Sequence, residues 1–121
     1  MRRLVVLAMV TTILALAPAA PVGADGNEAP GAPLSARSVA AGTNHTCVLL
    51  TDGRVTCWGQ NDSAALGLGD VLNRGDGPDE MGDALPTVDL GPGRTATAIT
   101  AGAVHTCALL DNGFVKCWGS N

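Results

Sequence analysis

Two stretches of this chain place β-forming apolar residues on either side of a short polar loop, in the same order. In the first, Val48-Leu49-Leu50 and Val55-Thr56-Cys57-Trp58 flank Thr51-Asp52-Gly53, a pattern that predicts a β-hairpin. A three-residue loop ending in glycine suits a type I turn followed by a left-handed residue, which glycine adopts without a Cβ clash. Leu50 then pairs with Arg54, and counting back sets Leu49 opposite Val55, Val48 opposite Thr56 and Cys47 opposite Cys57. The second stretch, with loop Asp111-Asn112-Gly113, sets Cys107 opposite Cys117 by the same count.

The two stretches are copies. Residues 41–61 align with 101–121 at a constant offset of 60, and 13 of the 21 positions are identical. Among them are His45 with His105, Trp58 with Trp118, and both cysteines. A catalytic residue is normally unique in a fold, so histidines that recur in one repeat phase are expected to hydrogen-bond within each unit. No nucleophile, base and orienting group can be assembled around them. Trp58 and Trp118, also in phase, are expected as wedges between units, since a large ring buries much apolar area.

Opposed residues in an antiparallel pair have Cα atoms about 4.5–5.5 Å apart, within the span of a disulfide. The expected bonds are therefore Cys47 to Cys57 and Cys107 to Cys117, each closing a ring worth about 3 kcal/mol in the chain-entropy model. The other two connectivities join cysteines 50 or more residues apart and match no repeat. A zinc reading of His45, Cys47 and Cys57 lacks both a Cys-x-x-Cys spacing and an evident fourth ligand. Free thiols would follow if the chain stayed in a reducing compartment. No metal and no cofactor are expected.

The N-terminus has a different pattern. Arg2-Arg3 precede a continuous apolar run from Leu4 to Ala17, closed by Pro18. The run is shorter than the roughly 20 residues of a membrane span, and Val22-Gly23-Ala24 before Asp25 has the small-residue character of a cleavage site. Residues 1–24 are read as a signal peptide and the chain as secreted or otherwise extracytoplasmic, where disulfides persist. Residues 25–37 offer almost no bulky apolar side chain and read as a flexible leader. The repeats occupy 38–121.

Composition narrows the classes further. Sixteen Gly, seven Pro, two Trp, one Phe and no Tyr favour short strands and many turns, and exclude a coiled coil, a multi-pass membrane protein and collagen. Once Arg2 and Arg3 leave with the signal, five bases face 11 acids, a balance of −6. That sign repels phosphate backbones and anionic lipid. Nucleic acid and, after cleavage, membrane are excluded as expected partners, which leaves a protein partner.

The order Ala-Gly, two residues, His-Thr, then Leu, a turn with Gly, Val, and Trp-Gly-x-Asn resembles the repeat of the regulator of chromosome condensation (RCC1-type) family. His45, Thr46, Leu49, Gly53, Val55, Trp58, Gly59, Asn61, Leu66, Gly67 and Gly69 sit where that repeat has them. Where the repeat continues with Gly-Gln-Leu-Gly, this sequence has Ala64-Ala65-Leu66-Gly67. The resemblance implies an all-β fold of antiparallel hairpins forming blades of a seven-bladed β-propeller. The cysteine pair in each hairpin and the inserted stretch from Arg74 to Leu90 look like the secreted bacterial branch of the family. Nucleotide exchange on a small GTPase is what well-studied relatives imply, and a secreted propeller that inhibits β-lactamase is similar in fold. An exported chain meets no such GTPase.

Between the copies, residues 59–86 show neither helical nor strand periodicity, and repeat architectures gather such insertions on one face, often the binding face. Seven of the 11 acids lie between the copies, and Asp70, Arg74, Asp76, Asp79, Glu80 and Asp83 form the candidate binding loop. No Asp-x-Asp-x-Asp-Gly calcium loop is present, so a solvated acidic loop is expected. Arg74-Gly75-Asp76 matches an adhesion tripeptide, which in a Gly- and Asp-rich loop is coincidental.

The reading is an exported, non-catalytic protein-binding or structural repeat module. Removing 24 residues from 121 leaves 97, fewer than two repeats at a period of 60. Because stacked repeats bury their apolar faces only against neighbours, an incomplete propeller is expected, a gene fragment or truncated product that self-associates or is weakly ordered alone.

Overall fold

The structure, a computed structural model, describes residues 34–121. The expected signal peptide, and the leader as far as residue 33, lie outside the described residues. Six strands form two sheets in chain order: β1 (Ala36–Ala41), β2 (His45–Leu50) and β3 (Val55–Gly59), then β4 (Ala96–Ala101), β5 (His105–Leu110) and β6 (Val115–Gly119). All neighbours are antiparallel. The described residues contain no α-helix, only one 3-10 turn at Gly82–Ala84.

Both hairpins take the register counted from the sequence, with Cys47 opposite Cys57 and Cys107 opposite Cys117. The disulfides Cys47–Cys57 and Cys107–Cys117 are formed. Gly53 closes the first turn at φ +84°, and a Cβ there would collide with Thr95, the residue preceding β4. One glycine thus permits both the left-handed turn and the approach of the next repeat.

Each sheet has a third strand that the hairpin pattern did not assign. β1 and β4 pair with β2 and β5, with the same register shift after Ala36 and after Ala96. β1 begins inside the stretch expected as leader, because its backbone completes the edge of β2 even though Ala36, Arg37 and Ser38 bury little.

The sheets stack face on face. Along β2, His45, Cys47 and Leu49 are buried and their neighbours only partly so; along β5 the phase is opposite, with Thr106, Ala108 and Leu110 buried. The period-two alternation of a strand therefore aims the first set at the second set. Between them lies the core of Cys47, Leu49, Val55, Cys57, Leu66, Val88, Leu90, Ala96, Ala108 and Leu110. Backbone bonds stitch the seam, from Thr43 N to Ala103 O at 3.0 Å and from Ala96 N to Gly53 O at 2.8 Å.

Candidate functional site

Residues 60–86, without strand periodicity, are ordered by polar contacts. Asn61 is buried completely, and a buried carboxamide must satisfy its donors and acceptor internally. Its Nδ2 donates to the carbonyls of Asp70 and Leu72 at 2.9 and 3.0 Å and to Asp70 Oδ1 at 3.1 Å, while its Oδ1 accepts from the Leu66 amide at 3.0 Å. One side chain thus draws Leu66, Asp70 and Leu72 together within the first half of the loop. A pair of backbone bonds between Gly59 and Arg74, at 2.8 and 3.1 Å, closes the base.

Arg74 folds back across this loop. Its guanidinium donates to Asp70 Oδ2 at 2.7 Å and to the Leu72 carbonyl at 2.8 Å. The Arg74 hydrogen bond, followed by one from the Leu72 amide, holds the Asp70 carboxyl below its ordinary pKa. Arg74-Gly75-Asp76 is consequently not displayed as an extended tripeptide: the guanidinium is engaged, and Asp76 accepts from Asn73 Nδ2 at 3.3 Å. Glu80 turns inward, its Oε2 accepting from the amides of Gly75, Asp76 and Gly77 at 2.9, 3.1 and 2.9 Å. Those bonds, Gly77 foremost, lower its pKa.

The expected binding-loop residues therefore divide by role. Asp70, Arg74 and Glu80 are spent on holding the loop, whereas Asp79 and Asp83 are exposed. Arg74, Asp76, Asp79 and Glu80 border a cleft of about 770 Å³ whose wall also includes Gln60, Asp62 and Leu72, whereas Asp70 and Asp83 do not line it. Val71 and Leu72 stand 61% and 65% exposed on it. These two apolar residues, unremarked in the sequence, give the acidic loop a contact surface.

The repeat-phase histidine and tryptophan lie in the seam. Thr106 Oγ1 donates to the Ala65 carbonyl at 3.1 Å, which commits its single proton, so His45 Nε2–H donates to Thr106 Oγ1 across 2.8 Å. Trp118 Nε1 donates to the same carbonyl at 2.9 Å, its ring lying where a Cβ on Gly67 would stand. His105, by contrast, is exposed, and Trp58 is half-buried. Among the described residues no group of three His, Cys, Asp or Glu side chains could hold a metal ion.

Burial, and secondarily the charge of His105, lower the His45 pKa. The folded chain therefore favours neutral imidazole, and below the ordinary value of about 6.5 the unfolded chain binds more protons. Stability due to this group is full above that value and falls as pH drops through it. We expect the urea midpoint to decline between pH 7 and pH 5, a window above that of Asp70 and Glu80, and His45→Gln to flatten that slope. An unchanged slope in the variant would assign the dependence to other groups.

The family model for the Regulator of chromosome condensation (RCC1) repeat matches residues 36–64 and 96–121. Protein pim1 of Schizosaccharomyces pombe is 38% identical over 88 residues, covering 69% of this chain and 16% of pim1. E3 ubiquitin-protein ligase MYCBP2 of Danio rerio is 39% identical over 87 residues, covering 72% of this chain and 2% of the ligase. Among solved structures, that of Prp20p from Saccharomyces cerevisiae, described with its binding properties to Gsp1p and histones, superposes with a TM-score of 0.52 at 32% identity. It covers 68% of this chain and 19% of Prp20p. The chain thus spans less than a fifth of each of these relatives.

Proposed function

With the regulator of chromosome condensation repeat family supported by the two matched segments and by these relatives, we propose that the chain is an exported, non-catalytic β-propeller repeat protein that acts by binding another protein. Export rests on the N-terminal pattern and on two disulfides that require oxidising surroundings. The observation that carries the binding reading is the 60–86 loop: it is held by its own polar network, yet it exposes Val71 and Leu72 beside Asp62, Asp76 and Asp79. An ordered surface of that kind loses little entropy on association. Its chemistry suits a segment with an apolar residue next to Lys or Arg.

Prp20p is described as binding Gsp1p and histones, and by that likeness exchange-factor activity is the alternative. The signal peptide separates this chain from a cytosolic GTPase, so the inhibitor or adhesin class is the nearer rival. Arg74, clamped within the loop, argues against adhesion through its tripeptide.

The test is an array of synthetic peptides, with and without Lys or Arg beside an apolar residue, probed with the oxidised chain. Basic apolar peptides should be retained, and Val71→Asp combined with Leu72→Asp should weaken retention at least tenfold without moving the melting temperature. Equal retention by the double variant would remove the loop from the reading.

A further inference from the structure

We infer that the partner segment taken by the 60–86 loop is an extended one that lies across two repeats. Its basic side chain stands between an apolar one in the cleft and a small apolar one lodged against the second repeat. This rests on the loop being a binding surface, and adds to it the order of side chains and the second repeat's share in holding them.

Two hollows meet at one wall. The cleft of about 770 Å³ is bordered by Val71 and Leu72. A notch of about 130 Å³ lies where the loop meets the second repeat, lined by Ala65 from the loop and by Ala103 and Val104 from the turn between β4 and β5. Gln60 and Asp62 border both hollows. A chain that runs from the cleft into the notch thus meets apolar surface, then a carboxylate, then apolar surface again.

The shared wall is fixed in place. Asn44 Nδ2 donates to Gln60 Oε1 at 2.7 Å, and Gln60 Nε2 donates to Asp62 Oδ2 at 2.6 Å. Two amides in series tie Asp62 to the turn between β1 and β2. Among the described residues its other oxygen, Oδ1, has no partner, and the side chain is exposed. A carboxylate already held by its neighbours loses little freedom when a cation arrives. The charge it presents selects Lys or Arg.

The openness of the notch belongs to the repeat. Val104 is 43% exposed, and its counterpart 60 residues earlier is Asn44. Asn44 and Thr43 stay exposed although the second sheet is stacked on the first. A further sheet stacked in the same way would leave Ala103 and Val104 open as well. An extended segment turns every second side chain to the surface it lies on, so the three contacting side chains alternate with outward ones. The small volume of the notch limits the last of them to about the size of valine.

Binding of fluorescent peptides to the whole oxidised chain tests this. The series is Leu-Ser-Lys-Ser-X with X as Gly, Val or Trp, with each peptide also made in reverse order and the tighter direction taken. The wild type should show an optimum at Val, with Gly and Trp each about tenfold weaker, since a side chain that underfills or overfills an apolar pocket forfeits about that much. Val104→Glu should abolish the optimum. Asp62→Asn, which can still accept from Gln60, should weaken the Val peptide about fivefold at low salt and leave a peptide with norleucine in place of Lys unchanged. Both substitutions are at exposed positions, and thermal melts should match the wild type. No size optimum in the wild type, an optimum that survives Val104→Glu, or an Asp62→Asn variant that binds as the wild type would each overturn the proposal. The wild-type series needs no variant to fold. If Val71→Asp with Leu72→Asp still weakens binding in those cases, the loop stands as the binding surface and only its extension across the repeats falls.

Discussion

Asn61→Ala should lower the stability of the chain by about 3 kcal/mol, read as a shift in the urea midpoint at constant slope. The Leu66 amide that donates to Asn61 Oδ1 lies beside a fully buried side chain and has no water to turn to. An orphaned buried donor costs about 1–3 kcal/mol, and the lost carboxamide leaves a void where its volume was. The carbonyls of Asp70 and Leu72 lie nearer solvent and rehydrate at smaller cost. Because the same carboxamide joins Leu66 to Asp70 and Leu72, the cleft bearing Val71 and Leu72 should lose its shape together with the stability. Asn44→Ala is the control: its Nδ2 bond to Gln60 Oε1 is exposed, and its loss should stay near 0.5 kcal/mol. If Asn61→Ala cost no more than Asn44→Ala, the loop would have to be held by something other than this side chain.

What the sequence revealed and what it hid follow one physical division. Hairpin register was legible because a period-two strand and a glycine-closed loop fix each pairing by counting, and the cysteine pairs sit at the end of that count. β1 and β4 were not legible: Ala-Arg-Ser-Val-Ala-Ala has little apolar alternation, and its strand state comes from hydrogen bonds to β2 that no local pattern announces. Composition gathers the acids between the two copies, but it does not say which carboxylates face solvent. Asp70 and Glu80 turned out to accept bonds from the loop itself, a matter of side-chain direction. Thr106 and Ala65, which complete the His45 contact, lie 61 and 20 residues from it in sequence and meet it only through sheet stacking. The asymmetry between copies was the least legible feature, since His45 and His105 occupy one repeat phase and are both followed by Thr-Cys, yet only the first is buried.

That asymmetry gives the two disulfides different values. Cys47→Ala with Cys57→Ala should cost about 5 kcal/mol, and Cys107→Ala with Cys117→Ala about 3 kcal/mol, at low protein concentration where the outer face of the second sheet is uncovered. The rings are equal, with a sequence separation of 10 in each, so the entropy removed from the unfolded chain is the same, about 3 kcal/mol. The difference comes from the folded side. Both Cys47 and Cys57 are 0% exposed in the seam, so deleting two sulfurs forfeits burial of about 1 kcal/mol each, on the scale of a buried methylene, and opens a cavity between the sheets. Cys107 is half-buried and Cys117 exposed, and deletion there leaves no cavity. Urea denaturation of the two double variants, beside the wild type in the same buffer, measures the gap. Equal losses would mean that the seam repacks around the missing sulfurs, and a larger loss at Cys107 and Cys117 would mean that the outer face of the second sheet is already covered.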